Sequence, residues 1–373
     1  MILVVDTVRH SGEHMSLNHE IISSLTENKR DVTFMTSEEY WSSISPELRE
    51  DLHFIKTSIL PSGILGIVRT IYVLMEVIFF SRKFKKIIFL SSITYNTFLI
   101  SMLSRLGIIR SNIFIFLHEV SYIESNSKSA RSAAFFLKLA LKIGLSEGSK
   151  FIVTGHYILN ELSNRVAISL SSVTSIEHPT SSIDHSESDI SFDTPITMTS
   201  IGVQNIEKNS QLIEELAYHN QFLVSDNKIK FSTVGRLAFP YNSSSSVIHH
   251  GLKYTDYLIP RDDFEKLAFQ AHFILMFYGK EYDLKTSGVF FDAINFVKPI
   301  IALRCNLTEY YFDKFGDIGY LFESLEDMKT GVQEITTTFD AQRYNIQISN
   351  LKTAKKRTEP SNFKKDLTIL LNL

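Results

Sequence analysis

The chain has 373 residues, 44% of them hydrophobic, which supplies enough apolar surface for a sizeable core and enough length for two domains. Its formal charge is −3, with 18 Lys and Arg against 15 Asp and Glu through residue 174 and 20 against 26 beyond it. So mild a balance excludes the strong basic patch that wholesale nucleic-acid binding needs, and a single cysteine, Cys305, excludes an intramolecular disulfide and a cysteine-based zinc site.

The opening residues, MILVVD, read as strand at once and not as a signal peptide, which points to a reducing, cytoplasmic setting. Short β-rich runs then recur at 2–6, 31–36, 52–56, 86–92, 112–119, 150–156 and 172–179. Helix-period segments such as 14–27 and 96–106 separate most of them. Near-continuous apolar strands alternating with helices predict a parallel sheet covered on both faces. The long apolar stretch 60–80 carries Arg69 and Glu76 near its middle, both expensive in a bilayer centre. It reads as a buried helix of the α/β layer, ending in the basic run SRKFKK at 81–86. Segment 127–145 sets Lys128, Arg131, Lys138 and Lys142 among Phe135, Phe136, Leu139 and Leu141. That pattern fits a helix lying on anionic lipid and equally a core-facing helix with a solvated basic side.

Residues 180–195 are rich in Ser and Asp with almost no apolar periodicity and read as a linker. Alternation restarts beyond it, with strands expected at 196–202, 230–235, 252–258, 272–278, 299–303 and 319–324. Helices are expected at 210–218, 261–270, 288–297, 325–335 and 341–351, and one more from 360. The fold predicted is α/β: two doubly wound, Rossmann-like domains facing across a cleft, 1–179 and 196–355, with a C-terminal helix in 356–373 packing back on the first. Ligands of such sheets bind outside the carboxyl ends of the strands.

The stretch LKTSGVFFDAINFVKPII, 284–301, is the most informative for chemistry. Ser287 is a good N-cap, and Gly288 lets a ligand approach the backbone of the first turn. The free amides and the helix dipole there favour an anion, to which Lys285 can add a point charge. The same residues also make an ordinary capped helix. Asp292 falls off the apolar stripe of Phe290, Ile294 and Val297. A carboxylate there can accept from ribose hydroxyls, or simply complement the dipole. In the first half, His118 and Glu119 end an apolar strand, where a His can orient or deprotonate a hydroxyl or cap loop amides. No histidine spacing suggests a metal site, and neither Asp-x-Asp nor Gly-x-Gly-x-x-Gly occurs.

Together these segments resemble the GT-B glycosyltransferases, in particular the retaining nucleotide-sugar transferases of bacterial polysaccharide assembly. The resemblance rests on Ser287-Gly288, Asp292-Ala293 and Lys298-Pro299-Ile300-Ile301, on Gly202 followed six residues later by Lys208, on FSTVGR at 231–236, and on IEHPT at 176–180. It implies that Gly202, Lys208, Ser287 and Gly288 meet the donor diphosphate, to which Lys285 or Arg236 can add a cation in place of a missing Arg, and that Asp292 holds the ribose. It further implies that Ser11 and Gly12 form the donor-facing loop of the first domain, and that His118 and Glu119 are catalytic. The chain departs from the pattern twice: Val203 stands where an Arg is expected, and Leu284 where the first of two glutamates is expected. The activity implied is metal-independent transfer of a sugar, a hexose, from a nucleotide-diphosphate donor to a hydroxyl of a glycan or lipid-linked glycan. It would serve capsule or O-antigen biosynthesis, without a cofactor, at the inner face of the cell membrane. Two other readings share the fold, a nucleotide-sugar epimerase and a non-catalytic partner subunit.

Overall fold

The computed structural model describes residues 1–6, 15–27, 31–57, 64–118, 120–124, 128–166, 168, 171–181, 195–240, 246–251 and 259–373. The chain forms two compact units. One comprises Met1–Pro179 with Leu284–Thr286 and Pro360–Leu373; the other comprises Thr180–Asp283 with Ser287–Glu359.

The first unit runs β1 (Ile2–Val5), α1 (Met15–Thr26), β2 (Val32–Thr36), α2 (Glu38–Ser43), α3 (Pro46–Glu50), β3 (Leu52–Lys56), α4 (Ile64–Ser81), β4 (Lys86–Phe89), α5 (Thr94–Arg105), β5 (Asn112–Phe116), α6 (Lys128–Ile143), β6 (Lys150–Thr154), α7 (His156–Arg165) and β7 (Val173–Ile176). All seven strands are parallel, in the order β3-β2-β1-β4-β5-β6-β7, so the winding reverses between β1 and β4. The runs ILVV, KIIF, NIFIF and KFIVT are buried along nearly their whole length, as strands covered on both sides must be.

The second unit runs β8 (Ile196–Ile201), α8 (Leu212–His219), α9 (Gln221–Ser225), β9 (Ile229–Val234), β10 (Val247–His249), α10 (Arg261–Phe269), β11 (Phe273–Met276), α11 (Gly288–Asn295), β12 (Ile300–Leu303), α12 (Asn306–Phe315), β13 (Gly319–Phe322), α13 (Leu325–Thr337) and α14 (Ala341–Arg357). Its sheet is parallel in the order β10-β9-β8-β11-β12-β13, with the reversal between β8 and β11. The last helix, α15 (Pro360–Leu370), belongs to the first unit and packs on α1. Its Pro sits at the first helical position, where a missing amide costs nothing. The ammonium of Lys86 then holds the carbonyls of Leu371 and Asn372 at 2.5 and 2.6 Å.

Several local expectations change. Over its described side chains, from residue 71 on, helix α4 is buried on one side: Val73, Leu74 and Val77 face the core, whereas Ile71, Tyr72, Met75 and Phe79 are exposed. Among the described residues no helix is long and apolar enough to cross a membrane. The short helices α2 and α3 escape a periodicity reading because each is barely more than one turn. Their caps are nonetheless in the sequence, since the Ser37 and Ser45 hydroxyls accept from the amides of Tyr40 and Leu48. Strand β10, three residues long, was also not anticipated. The strand expected at 252–258 and the linker core 182–194 lie outside the described residues.

Candidate functional site

The switch point of the second sheet assembles most of the residues singled out there. β8 ends at Ile201, and Gly202 follows with φ +85°, a left-handed conformation that only Gly adopts freely. A Cβ on Gly202 would lie 2.5 Å from Val289 Cγ2 and 3.4 Å from Lys208 Nζ. The turn after β8, the Lys208 ammonium and the first turn of α11 therefore meet at one point. Gly235, ending β9, approaches as closely: a Cβ there would lie 2.1 Å from the Gly202 carbonyl oxygen. Gln204, fully buried, fixes this turn by accepting from the Ser200 hydroxyl and donating to the carbonyls of Ser200 and Gly202. Asn205 accepts from the Lys208 amide, and the Asn209 side chain donates to the Phe277 carbonyl, which ties the Lys208 turn to the end of β11.

Ser287 is the N-cap of α11. Its hydroxyl accepts from the Phe290 amide and lies 2.6 Å from the Tyr278 hydroxyl, itself pushed above its ordinary range by burial. The Ser287 hydroxyl is therefore committed to the fold, and it is the first-turn amides that lack intrahelical acceptors. Gly288 is exposed, and a Cβ on it would meet nothing within 4 Å. An anion can thus reach the amides and the positive end of the helix dipole.

Asp292 lies one turn further on. Its Oδ1 stands 3.3 Å from Arg261 Nη2, and Arg261 also pairs with Glu265 and lies over the rings of Phe264 and Phe296. Burial raises the Asp292 carboxyl above the usual range, while Arg261 and, more weakly, Lys208 oppose the rise. Arg236 follows Gly235. Its Nε is buried without a hydrogen-bond partner among the described residues, beside a turn where its carbonyl accepts from Gln204.

Lys285 is placed differently. Segment Leu284–Thr286 belongs to the first unit, where the Lys285 carbonyl accepts from the Tyr157 hydroxyl at 2.7 Å and Thr286 pairs with Thr154. In that unit His118 sits just beyond β5. Its Nε2 is 2.6 Å from the Leu90 carbonyl, which fixes Nε2 as donor and leaves Nδ1 as the basic nitrogen of the neutral ring. Ser11, Gly12 and Glu119 lie outside the described residues.

Two polar groups of the first unit were missed. Asp6 ends β1 fully buried, at the switch point beside β4, accepting from Ser91 at 2.5 Å and Asn18 at 3.5 Å. A carboxylate closing the apolar run ILVV was its signal. The other joins β6 and β7: His156 Nδ1 lies 2.5 Å from Ser175 Oγ, and its Nε2 3.8 Å from Glu177. Among the described residues no group of His, Cys, Asp and Glu could hold a metal ion.

No protein-family model matches the chain, and no curated protein matches its sequence. Solved structures do match over essentially its whole length. HepE of Anabaena, solved in complex with UDP and glucose, superposes with a TM-score of 0.67 at 12% identity, covering 100% of this chain and 99% of that one. The lipopolysaccharide outer core galactosyltransferase WaaB gives 0.65 at 11% identity, covering 100% and 98%. WaaG, a glycosyltransferase involved in lipopolysaccharide biosynthesis, gives 0.67 at 13% identity, covering 99% of each. The chain has the GT-B fold of these glycosyltransferases, two Rossmann-like units with a C-terminal helix.

Proposed function

We propose that the chain is a glycosyltransferase that moves a hexose from a nucleotide-diphosphate donor to a hydroxyl of a glycan or lipid-linked glycan in bacterial surface polysaccharide assembly. The observation that carries this reading is the meeting of Gly202, Lys208 and the open first turn of α11 at the switch point of the second sheet. Such a point is where open α/β sheets bind their ligands. A leaving diphosphate there gains the Lys208 ammonium and the amides of residues 288 and 289, with no metal required. Arg236 stands in for the Arg that Val203 replaces, since its guanidinium has a donor without a partner among the described residues near the same turn. Asp292 accepts from the ribose hydroxyls through the oxygen that Arg261 leaves open. Lys285 adds charge from the preceding segment.

In the first unit, His118 Nδ1 accepts the proton of the acceptor hydroxyl, with Glu119 beside it in sequence. Neighbours of this fold have been solved with UDP and with UDP-glucose, which supports a UDP-sugar as donor. The enzyme would work in the cytoplasm, peripherally on the inner face of the membrane.

The test is incubation with radiolabelled nucleotide sugars and a membrane extract. Label transferred to lipid or glycan is the expected result; an epimerised nucleotide sugar or free sugar would replace it with the epimerase reading. A second reading has one observation in its favour. Leu284, at the position of the first glutamate, is fully buried, so a non-catalytic partner subunit is the outcome if nucleotide binds without turnover.

A further inference from the structure

Asp6 lies fully buried at the carboxyl end of β1, where the winding of the first sheet reverses between β1 and β4. It closes the apolar run ILVV, which is buried with it. A buried carboxylate is costly unless hydrogen bonds offset it, so space filling alone does not account for Asp6. The bonds are present. The Ser91 hydroxyl donates to Asp6 Oδ1 at 2.5 Å, and Asn18 Nδ2 stands 3.5 Å from Oδ2 while donating to the Tyr40 hydroxyl at 2.7 Å.

Ser91 matters through its neighbour. The Leu90 amide donates to the Val5 carbonyl at 2.9 Å, and the Leu90 carbonyl accepts from His118 Nε2 at 2.6 Å. The register of β4 with β1 and β5 ends at Phe89. The peptide from Leu90 to Ser91 therefore opens the turn 90–93 that leads into α5. Side chains hold this turn at both ends. Asp6 takes the Ser91 hydroxyl, and the Thr97 hydroxyl of α5, fully buried, lies 3.0 Å from the Ser92 hydroxyl and 3.1 Å from the Ile93 carbonyl. The ends of β1, β4 and β5 are thus tied in sequence, Asp6 to Ser91 and Leu90 to His118.

We infer that Asp6 is a positioning residue: through Ser91 it orients the Leu90 carbonyl, which keeps His118 in the Nε2–H tautomer with Nδ1 as its basic nitrogen. The hydrogen bond at one ring nitrogen sets the state and direction of the other, so the carbonyl that meets Nε2 decides where Nδ1 points. Being fully buried, Asp6 acts through Ser91 and not on a substrate. The inference rests on the reading of His118 as the base, and extends it from one side chain to the ends of three strands.

Nitrogen-15 NMR of the histidine rings in the full chain reads the tautomer, with His118 assigned by its loss in His118→Gln; steady-state kinetics read catalysis. Ser91→Ala removes only the hydroxyl. It should move part of the His118 population to the Nδ1–H tautomer and lower kcat about tenfold or more, with donor KM and UDP affinity at parental values. Asp6→Ala should do the same, and Asp6→Asn, which returns an oxygen to the Ser91 hydroxyl, should recover most of the loss. A role confined to stability would lower the melting temperature and leave tautomer and kcat where they were. That outcome in Ser91→Ala overturns the inference, whatever Asp6→Ala does to folding. A parent that transfers no sugar, or a His118→Gln variant that transfers it at the parental rate, defeats the reading of His118 as base. In that case a tautomer shift in Ser91→Ala still supports the hold of Asp6 on His118, and an unchanged ring spectrum overturns it.

Discussion

Arg261 Nη2 stands 3.3 Å from Asp292 Oδ1, joining the first residue of α10 to the middle of α11. The pair gives the carboxylate a partner within the fold, so its loss has two separable consequences. Both side chains are partly exposed, and an ion pair of that kind contributes only about 0–1 kcal/mol. Asp292→Asn should therefore move the melting temperature little. If the free oxygen holds the ribose, the same change should raise the donor KM about tenfold or more. Arg261→Ala is the control: it removes the pair and the stacking on Phe264 and Phe296 while sparing the carboxylate. Donor kinetics unchanged in both variants, with only melts affected, would reduce Asp292 to a tie between helices.

Gly202→Ala should damage fold and site together. The added methyl falls 2.5 Å from Val289 Cγ2 and must adopt φ +85°. Overpacking costs roughly 1–3 kcal/mol, and the left-handed backbone about 1–2 kcal/mol more. Adding Val289→Ala should recover the packing share but not the backbone share. Chemical denaturation of the single and double variants measures both; full recovery in the double variant would show that the backbone conformation carries no strain.

Lys208→Ala and Arg236→Ala should each weaken binding of UDP by on the order of 1–3 kcal/mol if their contacts are charge-assisted. Lys285→Ala gauges the third cation proposed for the diphosphate, and its carbonyl bond to Tyr157 survives the substitution. Calorimetric titration ranks the three. Affinity unchanged from the parent's in all three would remove the donor site from this switch point.

Much of this was legible in the sequence. Periodicity marked the alternating strands and helices, because parallel strands are apolar throughout and their helices amphipathic. Ser287-Gly288 announced a capped helix start, and a Cβ on Gly202 would lie 3.4 Å from Lys208 Nζ. What stayed hidden depends on contacts distant in sequence. Arg261 reaches Asp292 across 31 residues, and Ser91 reaches Asp6 across 85. The exposed stripe of α4 was hidden for another reason: a long, mostly apolar helix reads as buried, and only the fold shows that Ile71, Tyr72, Met75 and Phe79 are exposed.

Lys298 offers a prediction that depends on pH. It is buried, and its ammonium donates to the Phe269 carbonyl at 2.8 Å, at the end of α10, above the Phe269 ring. Burial alone pulls its pKa down to about 8, against an ordinary lysine value of about 10.4. Between those values the unfolded chain binds more protons than the folded one, so stability rises with pH across that window. Below about pH 8 both states are protonated, and the folded state carries the full cost of a buried ammonium, on the order of 2–3 kcal/mol. Lys298→Met keeps the length and removes the charge, at the loss of one hydrogen bond worth about 1 kcal/mol. It should stabilise the protein at pH 7 by roughly 1–2 kcal/mol, and the advantage should shrink as pH approaches 10. Urea denaturation of parent and variant at pH 7, 8.5 and 10 reads this directly. A variant less stable than the parent at pH 7, or an advantage that does not change with pH, would mean that the Lys298 charge is compensated in the fold and that its hydrogen bond dominates.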